Sequence, residues 1–184
     1  MKRTKNKRKS KNNNTKKHIV GGDATVVTIE DIHNYATNPS IDYEVCGYIT
    51  NNTHYMEPQE APQDTTRLNC TSSDAPTIWH THPSKSKYYP SYEDIRKLLK
   101  RNNTTKSIIY TRYGHWILEN YVKRDTASLV IDFEFKKPIN EILKAFYKES
   151  EKGREYNLDA INKLIASLKE LIKGKYNITF ESIP

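Results

Sequence analysis

Apolar side chains recur along this chain at two spacings. At Ile29, Ile32, Tyr35 and Ala36 they fall three or four apart behind Thr28, with Asp31 three places beyond it, which predicts a capped amphipathic helix ended by Asn38-Pro39-Ser40. Aromatic and β-branched residues crowd positions 43–50 and predict a strand, closed by a turn at Asn51-Asn52. Residues 53–74 are polar and weakly patterned, so short extended pieces are the most they predict. A strand is expected over residues 77–82, stopped by Pro83, and a loop with two lysines and two tyrosines follows it. Ser91 to Asp94 then opens a helix through Lys100, with Ile95, Leu98 and Leu99 on its buried stripe. Residues 107–111 and 115–122 predict two strands joined across Arg112-Tyr113-Gly114, and a further strand is expected over residues 128–135. A helix starting at Pro138, a second over residues 158–174 and a last strand over residues 176–183 complete the pattern. Strands mixed with helices and free of internal repeats predict an α/β or α+β layered domain.

Charge divides the chain unevenly. Its formal charge is +8, yet nine of its 30 Lys and Arg residues lie within residues 1–17, which hold no acid, leaving 21 bases against 22 acids in the remainder. A polybasic tail with one apolar residue cannot offset the entropy of ordering, so residues 1–17 are expected to be disordered and residues 18–184 to form one domain. Such a tail suits nucleic acid, another anionic surface or a nuclear-import role, whereas the near-neutral body offers no basic groove for DNA. No stretch reaches the roughly 18 apolar residues of a membrane span, and no apolar segment follows the charged N-terminus as in a secretory signal. An intracellular protein, cytoplasmic or nuclear, is therefore expected. Two cysteines, Cys46 and Cys70, are too few for a disulfide scaffold and are expected to be reduced.

The chemistry concentrates in one stretch. Six histidines give a His-x-His pair by chance about one time in five. His80-Thr81-His82 is followed directly by Pro83, by Ser91 eight residues later and by Asp94 three beyond that, a match expected by accident on the order of once in ten thousand. Alternation along a strand puts both imidazoles on one face, and the first turn of the next helix favours an ionised Asp94 as the third, oxygen donor. Three N/N/O donors leave a fourth tetrahedral position open, as in catalytic zinc sites. Glu44 on a neighbouring strand is placed to act as general base. Singly these residues have plainer readings: Ser91 with Asp94 is also a helix capping box, Glu44 a solvated strand residue, Cys46 a small buried thiol, and Trp79 and Trp116 core. Lys85, Lys87, Tyr88 and Tyr89, lying between the donors, fit either a substrate groove or a solvated loop.

The spacing His80-x-His82-Pro83, seven residues, Ser91-x-x-Asp94, preceded by Glu44-Val45-Cys46-Gly47, resembles the signature of the JAMM (MPN+) zinc metalloproteases over about residues 25–125. The resemblance implies an MPN/JAMM-type, cytidine-deaminase-like α/β layered domain with a central mixed sheet flanked by helices. It also implies one zinc ion per chain on His80, His82 and Asp94, with Glu44 as base and Ser91 as oxyanion donor. The implied activity is that of an isopeptidase cutting the amide between ubiquitin, or a ubiquitin-like protein, and a lysine amine. Two other readings remain beside it: a non-catalytic MPN scaffold within a complex, and a nucleic-acid-associated JAMM protein using the basic tail.

Overall fold

The computed structural model describes residues 24–58, 75–100, 104–121, 135–150, 155–172 and 176–183. The basic tail lies outside them, as does the strand expected over residues 128–135 except for Phe135, which precedes a helix. The described residues form an α/β structure with seven strands and four helices. In chain order these are β1 (Thr25–Val27), α1 (Ile29–Thr37), β2 (Cys46–Thr50), β3 (Thr53–Met56), β4 (Thr77–Thr81), α2 (Tyr92–Lys100), β5 (Lys106–Thr111), β6 (Gly114–Asn120), α3 (Lys136–Glu149), α4 (Leu158–Leu171) and β7 (Tyr176–Ser182). The strands make one sheet in the order β1-β3-β2-β4-β5-β6-β7. Every neighbouring pair is antiparallel except β4 and β5, which run parallel and are linked across α2.

Local chemistry accounts for most boundaries. Thr28 caps α1 reciprocally: its hydroxyl accepts from the Asp31 amide at 3.1 Å, and its own amide donates to the Asp31 carboxylate at 2.8 Å. Asn51 and Asn52 both take positive φ, the backbone a tight β2–β3 hairpin requires. That hairpin supplies β3, which the polar composition of residues 53–74 concealed. Strand β5 reads Ile108-Ile109-Tyr110 as a continuous apolar run because both of its faces are covered. On one face, Ile108, Tyr110 and Trp79 pack with Ile32 and Ala36 of α1. On the other, Ile109, Trp116, Leu118 and Ile178 pack against α2, α3 and α4. The sheet is thus the middle of three layers.

Gly47 is where β2 must approach its neighbours closely. A Cβ there would run into the Tyr55 carbonyl oxygen of β3 and the Trp79 ring, and backbone cannot yield as a side chain would. Gly47 is therefore a packing requirement of the sheet. Cys46 itself is disulfide-bonded, which corrects the expectation of reduced thiols and removes the cysteine argument for a reducing compartment; Cys70 lies outside the described residues. Among the described residues no helix is long and apolar enough to cross a membrane.

The α1 face also gathers three histidines that carried no motif signal. His33 and His115 lie against the Tyr110 ring, His54 Nε2 is 3.3 Å from the Tyr110 hydroxyl, and His115 Nε2 pairs with Glu181 at 3.0 Å. Burial, with the nearby charge of His115, lowers the His33 pKa, and burial lowers that of His54. Their folded pKa values lie below the ordinary 6.5, so as pH falls through that value the unfolded chain takes up protons that the folded chain refuses. The contribution of these two histidines to stability should accordingly drop between pH 7 and pH 5.5. Urea midpoints at the two pH values check it, and a drop of the same size in a His33→Gln, His54→Gln variant would show that other groups cause it.

Candidate metal centre

The site sits at the carboxyl end of β4, where the chain leaves the parallel pair to enter α2, the position at which open α/β sheets commonly bind ligands. His80 is on the last turn of the pleat in β4, facing the α2 side with its ladder partners Cys46 and Ile109. His82 lies one residue beyond the strand, its amide donating to the Tyr110 carbonyl of β5 at 2.8 Å. The backbone therefore continues along the sheet edge, and both rings turn to the same side. Their Nε2 atoms are 3.3 Å apart.

Asp94 reaches the same point from the first turn of α2. Its Oδ1 is 3.3 Å from His80 Nε2, and its Oδ2 is 3.5 Å from His82 Nε2. All three side chains are nearly buried, at 14%, 8% and 10% exposure. One ligand atom from each of the three lies within 4.8 Å of the other two, and the His80–His82 and His80–Asp94 Oδ1 distances match the about 3.3–3.6 Å that tetrahedral zinc with bonds of about 2.0–2.2 Å sets between its ligand atoms. Among the described residues, His80, His82 and Asp94 form the one group of three or more His, Cys, Asp or Glu side chains with that capacity. They can hold a metal ion.

Surrounding contacts orient the donors. His82 Nδ1 donates to the Lys87 carbonyl at 2.8 Å, which leaves its Nε2 to face the site. Burial pushes the His82 pKa down, but the hydrogen bond and charge of Asp94, then Glu44 and the Lys87 carbonyl, outweigh it and hold the value up. For Asp94, burial acts upward, and His80 followed by His82 carries the carboxyl well below its ordinary range. Asp94 and then Glu44 thus favour positive charge on His82, and a divalent cation supplies that charge as well as a proton does.

Ser91 is placed by the same helix start. Its amide and its hydroxyl each donate to Asp94 Oδ2 at 2.7 Å, while the hydroxyl accepts from the Asp94 amide at 3.2 Å. This is a complete capping box, so the plainer reading of Ser91 holds, and Oδ1 of Asp94 is left toward His80.

Glu44 stands just before β2, not inside it, because the ladder starts at Cys46 and not at the expected residue 43. A side chain replaces the missing ladder. The Val45 amide donates to the buried Thr81 hydroxyl at 2.9 Å, and the Thr81 amide returns a bond to the Val45 carbonyl at 2.8 Å. Thr81, pointing away from the histidines, ties the residue after Glu44 to the strand between the two ligands. Glu44 Oε1 comes to 3.9 Å from His82 Nε2 with its side chain 33% exposed, at the open rim of the site. Thr81→Val would leave the Val45 amide buried and unpaired, at a cost of about 1–3 kcal/mol. Urea unfolding should register that loss; an unchanged midpoint would show that the hydroxyl does not hold this segment.

A narrow cleft of about 30 Å³ runs beside the donors, lined by Glu44, Gly47, Glu57, His80, Asp94 and Lys97 among others. It has room for water and not for a buried side chain. Glu57 and Lys97 are charged cleft residues that the sequence did not single out, since neither belongs to the spaced motif. The plain reading of Trp79 and Trp116 as core is borne out by their burial. His115 lies on β6 beside the Tyr113-Gly114 turn, as a hairpin residue. No family model matches this chain, and no curated protein or solved structure matches it either.

Proposed function

We propose that this chain is a zinc-dependent isopeptidase of JAMM (MPN+) type, hydrolysing the amide between ubiquitin or a ubiquitin-like protein and a lysine amine. The observation that carries the reading is the convergence of His80, His82 and Asp94 on one point with Glu44 at its open side, in the chain order and spacing of that family's signature. Two imidazoles and one carboxylate with an accessible fourth side are the donor chemistry of hydrolytic rather than structural zinc. When bound, zinc supplies a Lewis acid that polarises the amide carbonyl and acidifies water.

The chain's own groups do the rest. Glu44 takes a proton from the attacking water as the new C–O bond forms. It then passes that proton to the lysine nitrogen as the C–N bond breaks, leaving a carboxylate on one product and an amine on the other. Thr81 keeps Glu44 over the donors through Val45, and Lys87 keeps the His82 ring in register. Ser91 can assist the oxyanion only by turning its hydroxyl from Asp94 Oδ2 toward the substrate, while its amide retains the cap. The test is incubation of the zinc-loaded protein with ubiquitin chains and ubiquitin-like fusions, read by mass. Products cut after the terminal glycine support the reading. Intact substrates throughout the panel, with zinc bound, point instead to a metal-holding scaffold.

A further inference from the structure

A second, larger groove of about 490 Å³ opens on the far side of Ser91, between the segment leading into α2 and one side of α3 from Lys136 to Tyr147. It is continuous with the metal centre through two residues already described: Ser91 touches Asp94, and Lys87 holds His82 through its carbonyl. Three exposed lysines, Lys87, Lys136 and Lys144, line it. Lys87 Nζ rests 5.2 Å from the Tyr147 ring centre and 5.8 Å from that of Tyr89, and Lys136 Nζ lies 5.9 Å from that of Tyr92. Among the described residues no carboxylate pairs with any of the three. The one acid among the described residues that line it, Glu93, is engaged by Arg96 at 3.0 Å. Among the described residues, positive charge is therefore gathered beside the site without a neutralising partner, on a body whose formal charge is near neutral.

The walls are also preformed. The Tyr88 carbonyl accepts from Trp116 Nε1 at 2.7 Å, and the Tyr88 hydroxyl donates to the Glu155 carbonyl at 2.8 Å, which pins the segment carrying Lys87 and Tyr89. Tyr89 and Tyr92 are only 4% and 7% exposed, so their rings form the floor and offer no free faces on which bases could stack. Point charges above two buried rings, with the half-buried Tyr147 ring lying under Lys87, suit carboxylates on a peptide better than a nucleic acid.

We propose that this groove binds an acidic segment of the protein substrate, and so selects substrates with Asp or Glu near the bond presented to the metal centre. The proposal rests on the isopeptidase reading for its substrate, and its test reads binding without turnover. Fluorescence anisotropy of the full chain would use a labelled octapeptide containing four consecutive Glu, its Gln counterpart, and an eight-nucleotide oligothymidine. The Glu peptide should bind about tenfold or more tightly than the Gln peptide and weaken with salt. Lys136→Glu with Lys144→Glu should lose about tenfold in that affinity, and Lys136→Arg with Lys144→Arg should keep it. The basic tail is the same in every variant, so it cannot produce the difference. Equal binding by the charge-reversed variant, or by the Gln peptide, overturns the proposal; an oligothymidine held more tightly through the same lysines replaces the peptide with a nucleic acid. A protein that passes this test yet cuts nothing in the ubiquitin panel would retain the groove and lose the isopeptidase reading, and the converse pair of results would do the reverse.

Discussion

Glu44→Gln should leave zinc bound and the fold intact while lowering amide hydrolysis by about two to four orders of magnitude, the usual worth of a positioned general base. The amide is nearly isosteric with the carboxylate and sits at a partly exposed rim, 3.9 Å from His82 Nε2, so little packing depends on it. The proton acceptor alone is lost. If Glu44 served only as a solvated residue, the variant would turn over at the parent rate, and the base would have to be sought at Glu57, the other glutamate lining the cleft. Metal content measured on the same sample separates a lost base from a lost metal.

Removing a donor should act on the metal first. His80→Ala leaves one imidazole and one carboxylate, and zinc affinity should fall by more than about a hundredfold, beyond what loss of an outer-shell partner alone costs. Asp94 needs a gentler change because it also closes the cap of α2, receiving both Ser91 donors on Oδ2. Asp94→Asn retains an oxygen for the Ser91 amide while removing the charge, so it should weaken zinc binding with far less damage to the helix than Asp94→Ala. Metal content after dialysis against a weak chelator reads both. Full zinc occupancy in His80→Ala and in Asp94→Asn would remove these residues from the ligand set.

The donors were legible in the sequence because their geometry is local. His80 and His82 share a face through strand alternation, and Asp94 reaches them through a helix start whose capping residue, Ser91, is itself part of the motif. Glu44 was legible by its type and its neighbours, but its mechanism of placement was not. The pairing of residues 43–50 was expected to hold it, whereas the ladder begins at Cys46 and a buried threonine hydroxyl 36 positions away does the holding. Such a bond joins residues distant in sequence and leaves no periodic trace. The same limit applies to β1 and β3, each too short to show a pattern, and to the groove over α3, whose lysines come together only after Lys87 and Lys136 are folded side by side. The disulfide at Cys46 was missed because two cysteines in a chain of this length favour reduced thiols by count.

The most direct test of the account follows hydrolysis and metal together in one preparation. The full chain, stripped by chelation, is titrated with zinc while cleavage of the best substrate from the ubiquitin-like panel is followed by mass. The account predicts no cleavage by the stripped protein, recovery in proportion to zinc up to one equivalent per chain, and no recovery in Asp94→Asn at that concentration. Cleavage that survives chelation, or that returns equally in Asp94→Asn, would contradict it.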